Sequence, residues 1–155
     1  MTELRGGPSA FGINQAGQIL GFAFLGPGNF HSYIWRAREW IDSGASFIAY
    51  HINSNLTPST GLAEAVGRAD PGNATLYTDG ALFNLNDLIP PGSGWRLNDA
   101  RSINDSGRIV GNGSLGFQSH AFLLIPNQDN IRETSPHSDA KSRAFAENSP
   151  ARQTD

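Results

Sequence analysis

The sequence predicts an all-β antiparallel protein, with about three propeller-like blades in an incomplete or open arrangement, on three observations. A pentad of the form Ala-x-x-Ile-Asn occurs three times, at 10–14, 49–53 and 100–104. A strand-like block follows each pentad in the same order, at 31–35, 73–77 and 120–124. The chain also carries 18 glycines and 9 prolines but only 16% charged residues, a balance that suits short strands and tight turns better than long helices with charged faces. Repetition at about 45 residues is the period of a four-stranded propeller blade. On this reading Ile13, Ile52 and Ile103 play the same part in three equivalent antiparallel sheets.

The first unit, near 10–48, reads as a hairpin followed by further strands. Asn14-Gln15-Ala16-Gly17 is a tight turn, in which the asparagine side chain caps the turn and the glycine takes the positive φ on leaving it. Gln18-Ile19-Leu20-Gly21 returns as the partner strand, Gly26-Pro27-Gly28-Asn29 is a second turn, and His31-Ser32-Tyr33-Ile34-Trp35 is the next strand. The second unit, near 49–99, has seven extra residues before Ala65-Val66-Gly67, with the loop composition Leu56-Thr57-Pro58-Ser59-Thr60-Gly61. A fourth strand is expected at 81–85, after Asp79-Gly80. The stretch 88–95 reads as a proline-bearing loop that Trp95 anchors by burial.

The third unit, near 100–126, repeats the first most faithfully: Asn104-Asp105-Ser106-Gly107 is the turn and Arg108-Ile109-Val110-Gly111 the return strand. In Ala121-Phe122-Leu123-Leu124 both alternating faces are apolar, which predicts a strand covered on both sides. From Asn127 the composition turns polar, with Ile131 as the only bulky aliphatic residue and Phe145 as the only aromatic. The reading is therefore one repeat domain over 1–126 and a disordered tail over 127–155.

The formal net charge is -3 and arginines are scattered along the body, so no nucleic-acid footprint is expected. Cysteine is absent, which excludes disulfides and thiolate metal sites. No apolar run is long enough for a membrane span, and no signal peptide is read at Met1-Thr2-Glu3-Leu4-Arg5. His31 and His120 hold matching repeat positions. Asn73 stands at the third such position and is a poor metal ligand, so backbone hydrogen bonding is the expected role and no metal or cofactor is assigned. His51 and His137 belong to no cluster. Carboxylates at Asp42, Glu64, Asp70, Asp79, Asp87 and Asp99 are dispersed, most beside turn residues, and no serine-nucleophile motif is present. Catalytic residues are therefore not assigned. Aromatic residues crowd the first unit, and Trp35 and Trp40 are the candidates for stacking a ligand such as a sugar.

The pairing of Ala-x-x-Ile-Asn-x-x-Gly-x-Ile-Val-Gly with a later His-Ala-Phe-Leu block resembles the HAF repeat family, bacterial repeat proteins expected outside the cell. The likeness covers about residues 10–126, is closest at 100–124, where His120-Ala121-Phe122 is literal, and is weakest in the middle unit. It implies an extracellular or surface location and propeller-like architecture, and transfers no catalytic residues. The expectation is a non-catalytic binding or scaffolding module. The alternatives are a hydrolase of extracellular polymers and a fragment of a longer propeller without activity of its own. Three blades fall short of the four to eight that close a ring, so open sheet edges invite self-association.

Overall fold

In a computed structural model, the described residues are 8–127 and 145–146. They form twelve strands and one short 3₁₀ turn, Leu85–Asp87, with no α-helix among them. None of the described helical segments is long and apolar enough to cross a membrane.

The strands fall into three four-stranded antiparallel sheets. Sheet 1 is β1 (Ser9–Ile13), β2 (Ile19–Gly26), β3 (Asn29–Arg36) and β4 (Glu39–Ala45), each paired with the next. Sheet 2 follows the same meander with β5 (Phe47–Leu56), β6 (Ala63–Ala69), β7 (Asn73–Thr78) and β8 (Ala81–Asn84). Sheet 3 comprises β9 (Trp95–Ile103), β10 (Ile109–Leu115), β11 (Gln118–Pro126) and β12 (Phe145–Ala146). The expected tail over 127–155 lies outside the described residues, apart from Asn127 and β12. The two residues of β12 pair with Ile125 and Pro126, so at that point the chain returns as an edge strand. Trp95 also differs from expectation: it opens β9 instead of anchoring a loop, and packs partly buried against the core.

The recurring pentad has a shared backbone form. In each first strand one residue is skipped in the ladder, after Ala10, after Ala49 and after Ala100, so that a β-bulge stands at Phe11, Tyr50 and Arg101. Opposite each alanine is a glycine within the return strand, two residues after the ladder partner of the pentad isoleucine: Gly21, Gly67 and Gly111. At Gly67 a Cβ would lie 1.9 Å from the Ile48 carbonyl oxygen, and at Gly111 it would lie 2.1 Å from that of Asp99. The bulged strand crosses too close for any side chain there.

Directly opposed residues share a sheet face, so the registers define two rows per sheet. One row turns toward the preceding sheet (the leading face) and the other toward the following sheet (the trailing face). Leading rows are Ile13, Ile19, Trp35 and Trp40; then Ile52, Ala65, Tyr77 and Leu82; then Ile103, Ile109 and Leu124. Trailing rows carry Leu20, Ile34 and Ile41; then Val66, Leu76 and Phe83; then Val110 and Leu123. The two core clusters join each trailing row to the next leading row. Leu20 and Ile34 pack with Ile52, Ala65 and Tyr77, while Val66 and Leu76 pack with Ile103, Ile109 and Leu124. Each fully covered aliphatic side chain contributes about 1.5–3 kcal/mol relative to exposure.

Two expectations fail at the ends of this series. Ile13, Ile52 and Ile103 hold the same ladder position, yet Ile13 is 70% exposed while the other two are buried. Over 121–124 of β11 both faces were expected to be covered, yet of these four only Phe122 and Leu124 are buried and Leu123 is 42% exposed. The cause is common: among the described residues no sheet lies against the leading face of sheet 1 or the trailing face of sheet 3.

Candidate functional site

The polar feature that recurs in all three sheets is the asparagine closing each pentad. Its Oδ1 accepts from the backbone N–H of the residue before the pentad isoleucine's ladder partner: from Gln18 at 2.8 Å to Asn14, from Glu64 at 3.0 Å to Asn53, and from Arg108 at 2.9 Å to Asn104. The cap survives in the middle sheet despite the inserted residues. Gly17 and Gly107 complete the outer two turns with φ of +75° and +74°, as turn chemistry requires.

The same side chains also reach across sheets. Asn14 Nδ2 donates to the Asn53 carbonyl at 2.8 Å, and Asn53 Nδ2 donates to the Asn104 carbonyl at 3.2 Å. The next residue repeats the step with its backbone. Gln15 N–H donates to Ser54 Oγ at 3.1 Å, and Ser54 N–H donates to Asp105 Oδ1 at 2.7 Å. These bonds form a relay that steps from one repeat to the next. The sequence reading assigned Asn14 and Asn104 to tight turns and missed this second use; the return of Ile-Asn at the end of every pentad, even where the following turn is widened, is the signal that points to it.

Other side chains join the relay. Asn53 Nδ2 also donates to Glu64 Oε2 at 3.0 Å, and Thr78 Oγ1 donates to Glu64 Oε1 at 3.2 Å, so this fully buried carboxylate is part of the packing. Gln18, buried at the end of the turn that leads into β2, clasps the widened turn of sheet 2 by donating to the Gly61 carbonyl at 2.7 Å and accepting from Ala63 N–H at 2.8 Å. Arg36 bonds the Thr60 carbonyl in that turn. Between sheets 2 and 3, the guanidinium of Arg101 lies 4.6 Å from the ring centre of Tyr50, so the two bulge residues touch. Arg101 also donates to both Asp99 oxygens, which holds its own pKa above the ordinary value.

The structure separates the two matching histidines. His31 Nδ1 lies 2.7 Å from Asp42 Oδ2, a carboxylate partner where a backbone carbonyl was expected. His120 meets the edge of Trp95 in sheet 3, with ring centres 6.0 Å apart. His51 accepts a 3.4 Å bond from Ile103 N–H across the sheet 2–sheet 3 boundary. His137 lies outside the described residues. Among the described residues no three histidine, aspartate or glutamate side chains gather as a metal site. Burial, then the nearby Asp42, raises the pKa of Tyr33.

Trp35 and Trp40 are brought together as directly opposed residues on the open leading face, both partly buried. The Trp40 ring lies over Gly21, where a Cβ would come within 2.8 Å of it, and its indole Nε1 is buried without a partner among the described residues. Their counterparts in sheet 2, Tyr77 and Leu82, face sheet 1.

Tyr77 yields a pH prediction. Burial first, then the carboxylates of Asp42 and Asp79, push its hydroxyl above the ordinary 10.0. The folded chain therefore keeps the proton more strongly than the unfolded chain. Stability from this group is fully present below about pH 10 and falls as pH rises through the folded value. Urea unfolding at pH 8 to 11 should show an alkaline loss that Tyr77→Phe reduces; an unchanged slope in the variant would remove Tyr77 as its source.

No protein-family model, curated protein or solved structure matches this chain.

Proposed function

We propose that this chain is a non-catalytic repeat module of a secreted or surface protein, acting in scaffolding or binding, its sheets arranged as propeller-like blades of the HAF repeat kind. One observation carries the reading. The polar side chains at equivalent repeat positions, Asn14, Asn53 and Asn104, are committed to turn closure, and two of them also join neighbouring sheets. The recurring elements of the sequence thus build sheet-to-sheet cohesion, which is what a scaffold needs. The surfaces offered to a partner are the two open faces, one carrying Trp35 and Trp40 and the other Val110 and Leu123.

A panel of soluble polysaccharides incubated with the purified chain tests this reading by release of reducing ends. No turnover is expected. Hydrolysis that disappears in Asp42→Asn would overturn the non-catalytic assignment and favour a polymer hydrolase.

A further inference from the structure

The two open faces are the two halves of a contact the chain already makes twice. In sheets 1 and 2 the trailing pair is Leu20 with Ile34 and Val66 with Leu76, all between 0% and 2% exposed beneath the next sheet. In sheet 3 the same register positions hold Val110 and Leu123, 44% and 42% exposed. At the other end, Ile13 and Ile19 stand where Ile52 and Ala65, or Ile103 and Ile109, are buried against a preceding sheet. The centre of each face is apolar, Ile13 with Ile19 on one and Val110 with Leu123 on the other; around the second pair the sheet 3 face also carries Ser102 and the bonded side chains of Asn112 and Asp99.

The relay points the same way. It runs from sheet 1 to sheet 3 with a fixed polarity, donors on the earlier repeat and acceptors on the later one. At its end, Asn104 Nδ2 and Asp105 N–H are the equivalent donors, and neither has an acceptor among the described residues. At its start, the Asn14 carbonyl and the Gln15 side-chain oxygen stand at the equivalent acceptor positions.

We propose that a second copy of this chain docks head to tail, its leading sheet 1 face on the trailing sheet 3 face of the first. Val110 and Leu123 then lie against Ile13 and Ile19 of the second copy. Asn104 and Asp105 donate to the carbonyl of Asn14 and the side chain of Gln15. The contact joins faces, not strand edges, and it is heterologous, so it either closes into a ring or continues indefinitely. Two copies supply six sheets, within the four to eight of closed blade rings, and the assembly stops at two. The inference rests on the scaffolding reading above and names its partner.

Sedimentation of the full chain across a wide concentration range is the test. The expected result is a species of twice the chain mass at high concentration. Val110→Lys with Leu123→Lys blocks the trailing face and Ile13→Lys blocks the leading face. All three positions are solvent-exposed, so both variants should keep the parent circular dichroism spectrum and sediment as monomers. Mixed one to one, they share a single contact whose two faces are both intact, and should form a dimer weaker than the parent's, because the second contact of the ring sets the two blocked faces together. Asn104→Asp keeps the capping oxygen but loses the donor, and should weaken association roughly tenfold. A monomer at every concentration would overturn the proposal and leave the faces to the chain's own C-terminal residues or to an unlike partner. Dimerisation of either blocked variant alone would also overturn it, because that requires a face to pair with its own kind. Growth beyond two copies would overturn the closed assembly. Polymer hydrolysis by a dimeric chain would sink the scaffolding reading alone, and an inert monomer would sink the association alone.

Discussion

Alanine in place of Gly111 should destabilise the chain by about 3 kcal/mol or more, with Gly67→Ala behaving alike. The added Cβ would meet carbonyl oxygens of the bulged first strand at 2.1 Å and 1.9 Å, and at Gly111 it would also meet the Phe122 ring at 2.5 Å. Backbone in the middle of a ladder cannot swing aside as a side chain can. Relief therefore requires erasing the bulge, which moves every later residue of that strand to the opposite face. Gly17→Ala is the contrasting case: nothing lies within 4 Å of its Cβ, and only the φ of +75° is strained, a cost of about 1 kcal/mol. Urea denaturation of the three variants gives the comparison. If Gly111→Ala costs no more than Gly17→Ala, the tight crossing is not what the glycine is for.

Asn53→Ala should be the most damaging of the three pentad asparagine substitutions, at about 3 kcal/mol. Its amide donates to Glu64 and to the Asn104 carbonyl, and its oxygen accepts from the N–H groups of Glu64 and Asn55. The alanine variant removes all four bonds and takes a donor away from a buried carboxylate. Asn14→Ala loses one cap bond and one inter-sheet bond in a partly buried setting, and should cost about 1–2 kcal/mol. Asn104→Ala, measured at a dilution where chains are single, loses only turn bonds at an exposed site and should cost about 1 kcal/mol. Equal losses at the three positions would mean that the asparagines serve the turns alone and that the relay adds nothing.

Much of this was legible because the repeat writes local structure in short-range terms. Asn-x-x-Gly specifies a turn by a side-chain cap and a positive φ, both settled within four residues. The alternation in the strands settles which residues share a face. The strand bounds were less accessible: Trp95 lies inside β9 because its pairing with Leu115 extends the ladder back beyond the alanine of the pentad. The bulge was hidden for a similar reason, since skipping one residue in a ladder depends on the partner strand and leaves only an alanine opposite a glycine as its trace. The aromatic pair Trp35 and Trp40 was singled out by crowding, but its placement on an open face came from register.

From its own pattern, then, the chain dictated an antiparallel all-β architecture, three equivalent units and the turn chemistry at Asn14 and Asn104. Tertiary structure alone decided which copies of a shared position are buried. Ile13 and Ile103 have the same local surroundings in sequence and the same ladder partner type, yet one faces solvent and the other a core. Local propensity fixes where a side chain points; whether water is excluded there depends on a second sheet arriving from elsewhere in the chain.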